Sequence, residues 1–93
     1  MSDNRTYVIK TIKGKQVVMT KDRACCTRHI WVRIETRTVM HCTENLDGNL
    51  NLFVMVKDNA LGNGVMDNVG EMLVDYDKVQ LEHLTPYLEE FLS

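Results

Sequence analysis

The segment 27–35 constrains this chain most, because Ile30, Val32 and Ile34 alternate without a break with His29, Trp31, Arg33 and Glu35. Side chains of an extended strand point to opposite faces in turn, so a period of two dictates a strand with one apolar and one polar face. A helix would scatter the same residues around its circumference. Such a strand needs partners along its edges and a cover for its apolar face, and the flanking sequence offers both.

Residues 5–20 read as a hairpin. Tyr7, Ile9 and Thr11 alternate with Val8, Lys10 and Ile12, and Lys13-Gly14 makes a two-residue turn into Val17, Val18 and Met19. Pairing across that turn sets Ile9 opposite Val18. Asp47-Gly48 offers a second turn, between strands at 39–43 and 50–56. In the register of that turn Leu52, Val54 and Val56 share a face with Val39 and His41, while Phe53 and Met55 share the other with Met40 and Cys42. Both faces of this hairpin are therefore expected to be partly covered.

Beyond it, residues 57–64 have loop composition, with Asn59 and Gly62-Asn63-Gly64. Val65, Val69, Met72, Tyr76 and Val79 recur at helical spacing, but Asp67, Asn68, Gly70, Val74 and Asp75 between them are poor helix formers, so 70–76 is read as a last strand. A helix follows from Asp77, which stands at capping-box spacing from Gln80. Leu81, Leu84, Leu88 and Phe91 form its apolar stripe, and Thr85-Pro86 kinks or restarts it behind a threonine cap. The expected class is α+β: an antiparallel sheet of five or six short strands, able to curl into a small barrel, with a C-terminal helix, in a single globular domain spanning 1–93.

Composition agrees with a folded chain of this kind. Of 93 residues, 44% are hydrophobic, enough for a modest core without obligatory disulfides or metals. No apolar run reaches the length of a membrane span, and Met1-Ser2-Asp3-Asn4-Arg5 is polar where a signal peptide turns hydrophobic, so a cytoplasmic protein without membrane contact is expected. Cys25, Cys26 and Cys42 are an odd count with an adjacent pair, which suggests a reducing compartment rather than a disulfide framework. The acceptor triplet Asn4-Arg5-Thr6 is then idle.

Charge is segregated along the chain. Residues 1–42 carry nine Lys and Arg against three acids, and residues 43–93 carry two against ten. Either the halves meet in space and compensate each other, or the fold presents two oppositely charged faces.

Catalytic chemistry finds little purchase. Serine occurs only at Ser2 and Ser93, at termini where nothing holds a nucleophile. His41 and Cys42 are neighbours on a strand and point apart, so that histidine is badly placed to deprotonate that thiol. Cys25, Cys26, His29, His41 and Cys42 are all zinc-ligand types within eighteen residues, yet adjacent ligands in a strand do not make the spaced pairs of a structural zinc site. The Gly62–Gly64 loop has Asp67 where a dinucleotide fingerprint needs its third glycine, and Ala60 occupies a ligand position of the calcium template counted from Asp58. Asp75 and Asp77 read as a solvated turn and a helix cap rather than a magnesium site. The expectation is a protein that is not an enzyme, with no cofactor and no metal.

The polar face of the central strand is left. It carries the only tryptophan among charged residues, so either a helix or loop covers Trp31 or the strand displays an aromatic and arginine surface. Arg28, His29, Trp31, Arg33 and Arg37 are the candidate binding residues. Together they suggest a small protein-binding module that modulates or inhibits a partner protein, of basic character if the acidic half meets it, with a homodimer as one form of the contact. The alternative is a nucleic-acid-binding β-domain, with Lys10, Lys13, Lys15, Arg28, Arg33 and Arg37 on phosphates and Trp31 stacked on a base.

Overall fold

A computed structural model describes residues 5–23, 28–55 and 66–92. Six antiparallel strands lie side by side in chain order: β1 (Arg5–Ile12), β2 (Lys15–Arg23), β3 (Arg28–Ile34), β4 (Arg37–Glu44), β5 (Leu50–Met55) and β6 (Met66–Met72). The sheet is open, with β1 and β6 as its two edges, so the barrel allowed by the sequence does not form. A 3-10 turn at Tyr76–Lys78 leads into α1 (Leu81–Leu84), a 3-10 stretch (Thr85–Leu88) and α2 (Glu89–Leu92), so that 81–92 runs as one helical segment.

The first hairpin forms in the expected register, Ile9 opposite Val18. Lys13 and Gly14 both have positive φ, 51° and 78°, the conformation that matches the twist of a two-residue hairpin. On β3, Ile30, Val32 and Ile34 are buried as their alternation requires. A tight turn through Glu35, at φ 56°, returns the chain into β4, and the Glu35 amide donates to the Gln16 carbonyl at 2.9 Å. A register shift after Val32 leaves Val39 as an extra residue in β4, and Val39 and Met40 are both buried.

The second hairpin differs from expectation by one residue. Glu44 pairs with Leu50, so the connection is a five-residue loop and not the two-residue Asp47-Gly48 turn. Asn45 organises it: its side-chain oxygen accepts from the amides of Asp47 and Asn49, and its own amide donates to the Asn49 carbonyl. A slip of one exchanges the faces. Leu52 and Val54 therefore pair with Cys42 and Met40 in the core, while Phe53 pairs with His41 on the opposite face.

The last strand begins four residues earlier than expected, and Tyr76 belongs to the 3-10 turn. Helix α1 starts behind Gln80, not Asp77. Gln80 and His83 bond reciprocally at the start: His83 Nδ1 accepts from the Gln80 amide at 2.9 Å, and the His83 amide donates to the Gln80 carbonyl at 3.0 Å. Thr85 is not an N-cap but the C-cap of α1, its hydroxyl donating back to the Glu82 carbonyl, and Pro86 does interrupt the α-helix with the 3-10 stretch. Leu81, Leu84, Leu88 and Phe91 are buried against the sheet as their spacing implies.

The helical segment covers one face of the sheet, here called the inner face, and the core is the layer between them. Charge seals its margin. Lys10 pairs with Glu82 and Arg23 with Asp77, Lys15 donates to the Phe91 carbonyl at 3.0 Å, and Lys21 donates to the Tyr76 carbonyl at 2.9 Å. Lys15 thereby supplies a donor to a carbonyl near the C-terminal end of the helical segment, where the dipole favours a cation. The segregated charges of the two halves thus meet along this seam. No helix among the described residues is long and apolar enough to cross a membrane.

Candidate functional site

Among the described residues no element covers the outer face of the sheet, and strand register decides what stands there. Tyr7 on β1 faces Thr20, Thr20 faces Trp31, Trp31 faces His41, His41 faces Phe53, and Phe53 faces Asn68. One row across all six strands is therefore largely aromatic. A second row beside it runs Arg5, Asp22, His29, Thr43, Asn51 and Glu71.

Trp31 is at the centre of the aromatic row. Its ring lies flat on His41, with centroids 3.7 Å apart and planes 2° from parallel, and it keeps 37% of its surface exposed. His29 stacks against the same pair, and its Nδ1 lies 2.9 Å from His41 Nε2, a hydrogen bond that requires one ring to donate and the other to stay neutral and accept. Phe53 closes the far side of His41 at a tilt. Held between these rings, His41 titrates below the ordinary histidine range, first because burial disfavours the imidazolium and second because of the charge on His29. The tryptophan face is thus rigidly presented.

Arg33 follows Trp31 on this face and is exposed, its guanidinium without a hydrogen bond or ion pair among the described residues. With Tyr7, Thr20, Trp31 and Thr38 it borders a shallow depression of about 280 Å³, whose far wall is the Arg5–Asp22 ion pair, 3.4 Å. Tyr7 and Ile9 extend the exposed surface towards β1, at 54% and 61% exposure.

Two of the five candidate binding residues lie elsewhere. Arg28 is on the inner side of β3, where its guanidinium reaches Glu44 at 3.4 Å and stands 5.8 Å from the Tyr76 ring centre. Arg37 stands 5.9 Å from the Phe91 ring centre and donates to the Met55 sulfur. His29, Trp31 and Arg33 remain together. Tyr7, Ile9, His41 and Phe53 join them, although sequence reasoning assigned them no role. Tyr7 and Ile9 were accessible through the first hairpin, whereas His41 and Phe53 were hidden by the one-residue slip in the second.

The basic set required for nucleic acid does not gather on one surface. Of that set, Lys10, Lys15 and Arg37 border the helical segment, Arg28 stands at Glu44 and Tyr76, Lys13 sits in the first turn, and only Arg33 accompanies Trp31. The zinc-type residues also divide: His29 and His41 are on the outer face, Cys42 is buried on the inner face, and Cys25 and Cys26 lie outside the described residues. Among the described residues, no three His, Cys, Asp or Glu side chains converge as a metal site. Burial pushes the Cys42 thiol up to about 12. Asp75 is near Lys78, and Asp77 is engaged by Arg23. The glycine loop at 57–64 falls outside the described residues.

No family model matches the chain, and neither the curated proteins nor the solved structures yield a match.

Proposed function

We propose that this protein is a non-enzymatic binding module that recognises another protein through the outer face of its sheet and thereby modulates or inhibits it. The observation that carries this reading is Trp31, exposed on the outer face and held flat against His41. Protein interfaces draw most of their affinity from a few aromatic and arginine side chains. A tryptophan fixed before contact loses little rotamer freedom on binding, and Arg33 beside it offers a planar five-donor group. A partner epitope that pairs an apolar knob with a carboxylate suits this patch. The basic partner suggested by total charge would instead have to meet the acidic helix side, where Glu89 and Glu90 are exposed.

Against an enzyme stand the burial and raised thiol of Cys42, which faces away from His41. Capture of partners from the native cell by the tagged protein, run beside Trp31→Ala and Arg33→Ala, tests the reading. A specific protein partner retained by the parent and lost from both variants, with their denaturation midpoints unchanged, supports it. A partner retained equally by all three removes this face from the account.

A further inference from the structure

The two edges of the sheet are built differently. β6 carries a register shift opposite Leu52 and Phe53, Gly70 at φ 137°, and the acidic Asp67 and Glu71, all of which hinder another strand from adding to it. β1 has none of these devices. Its eight residues pair with β2 without a shift, contain no proline and no acid, and include Tyr7 and Ile9, both more than half exposed. Among the described residues no strand pairs with its other side.

The first hairpin determines which backbone groups are open. The residues flanking a two-residue turn, Ile12 and Lys15, form a hydrogen-bonded pair, and bonded and non-bonded pairs alternate from there. Lys10, Val8 and Thr6 therefore direct their amides to β2. The N–H and C=O groups of Thr11, Ile9, Tyr7 and Arg5 point away from the sheet.

We propose that β1 pairs antiparallel with β1 of a second copy of this chain, about a two-fold axis at Val8, so that two six-stranded sheets become one. Directly opposed residues of antiparallel strands share a face, which restricts the symmetric registers to every second residue. Centred on Val8, Tyr7 of each copy stands opposite Ile9 of the other, Thr6 opposite Lys10, and Arg5 opposite Thr11. The outward-pointing groups of Arg5, Tyr7, Ile9 and Thr11 are then all paired. Centring on Tyr7 leaves Thr11 without a partner in β1, and centring on Ile9 sets Arg5 against Lys13, which belongs to the turn. Only the Val8 register pairs all four outward-pointing residues within β1.

Charge selects a second copy over an acidic strand. The two cations of β1 are already engaged, Arg5 by Asp22 and Lys10 by Glu82, so an identical edge approaches without strong repulsion. Both faces of the joint gain apolar contact. On the outer side the Tyr7–Ile9 pairs join the aromatic row of each copy to the Ile9–Val18–Arg33 row of the other. On the inner side the two Val8 side chains meet beside a largely apolar groove of about 240 Å³ between β1 and the helix, walled by Met19, Val79 and Leu81.

Sedimentation equilibrium decides the state of association, and cross-linking decides the register. The parent protein is expected at twice the chain mass of 10.8 kDa. In a chain carrying Cys25→Ser and Cys26→Ser, Val8→Cys is expected to form a covalent dimer on mild oxidation, because a non-hydrogen-bonded pair brings its side chains closest. Tyr7→Cys and Ile9→Cys are not. Ile9→Pro removes a donor that β2 does not use and is expected to give a folded monomer, and Ile9→Lys does the same by charge without touching the backbone. A parent that stays monomeric at every concentration reached overturns the proposal. So does a dimer that survives both Ile9 variants, or one that cross-links through position 7 or 9 rather than 8.

Discussion

Trp31 and His41, directly opposed on β3 and β4, stack with their ring planes 2° from parallel. The contact links the only tryptophan of the chain to a histidine whose protonation is disfavoured by burial and by His29. Intrinsic fluorescence therefore reports on His41. As pH falls, the unfolded chain takes up its proton near the ordinary histidine value of 6.5, while the folded protein does so only at lower pH. Between those two points the unfolded state holds more protons, so folding stability decreases with acidification. A fluorescence titration should give a midpoint below 6.5, and His41→Gln should abolish it. A midpoint above 6.5 would show that the imidazolium is stabilised in this stack, contrary to its surroundings.

The central strand predicts a large, localised stability effect. Val32 is fully buried between Met19 and Met40 on the inner face. Val32→Ala should cost about 1 to 3 kcal/mol through lost burial and the cavity left behind. Arg33→Ala, one residue along and exposed, should change stability by less than about 0.5 kcal/mol. Urea denaturation of both variants checks the assignment of faces, and equal effects would contradict it.

How far sequence could lead is visible in the two hairpins. Lys13-Gly14 supplies a two-residue turn and a correct register because the turn's own backbone conformation sets the pairing. Asp47-Gly48 carries the same kind of signal, but Asn45, two residues earlier, captures the loop with its side chain and lengthens it to five residues. That competition set Phe53 beside His41 on the outer face and Leu52 and Val54 beside Cys42 and Met40 in the core. The strand bearing His29, Trp31 and Arg33 was legible from alternation alone, since its period is local. The positions of Arg28 and Arg37 were not, because they depend on Tyr76 and Phe91 arriving from the far end of the chain. The helix start moved from Asp77 to Gln80 for a related reason, Asp77 being engaged by Arg23 on β2.

If Asn45 holds the register of β4 and β5, removing its side chain should be expensive for a loop residue. Asn45→Ala leaves the amides of Asp47 and Asn49 without their acceptor and frees Glu71 from its 2.7 Å bond. The expected loss is about 1 to 2 kcal/mol. Asn45→Asp keeps an accepting oxygen for the two amides but sets a second carboxylate against Glu71, so it should recover only part of the loss. Hydrogen exchange should show faster opening of the Asn49 amide in the alanine variant, and unchanged protection there would deny Asn45 this role.

Cys42 should be inert in the folded protein. Its thiol is buried, with its pKa pushed up to about 12, so almost none of it is thiolate at neutral pH. Iodoacetamide under native conditions should leave it unmodified while labelling it fully in denaturant, as peptide mass mapping would reveal. Rapid native alkylation of Cys42 would mean that the inner face opens readily, and would return the thiol to consideration as a reactive group.

Salt separates the proposed function from its alternative. A nucleic-acid-binding surface loses affinity steeply as salt rises, because each phosphate contact releases condensed counterion, with a slope of about 0.7 per contact on a single strand. Here Lys10, Lys15, Arg28 and Arg37 are engaged on the helix side, and on the outer face Arg5 is paired with Asp22, which leaves Arg33 beside Trp31. The outer face can therefore offer few phosphate contacts near the stacking ring. The expected outcome is weak oligonucleotide binding that vanishes by about 150 mM salt, where charges are screened beyond about 8 Å. Trp31→Ala should leave that weak binding unchanged, since diffuse attraction needs no stacking platform. Binding that persists at physiological salt and weakens by about 1 to 3 kcal/mol on removing Trp31 would instead be the signature of a base stacked on the indole, and the nucleic-acid reading would replace the protein-binding one.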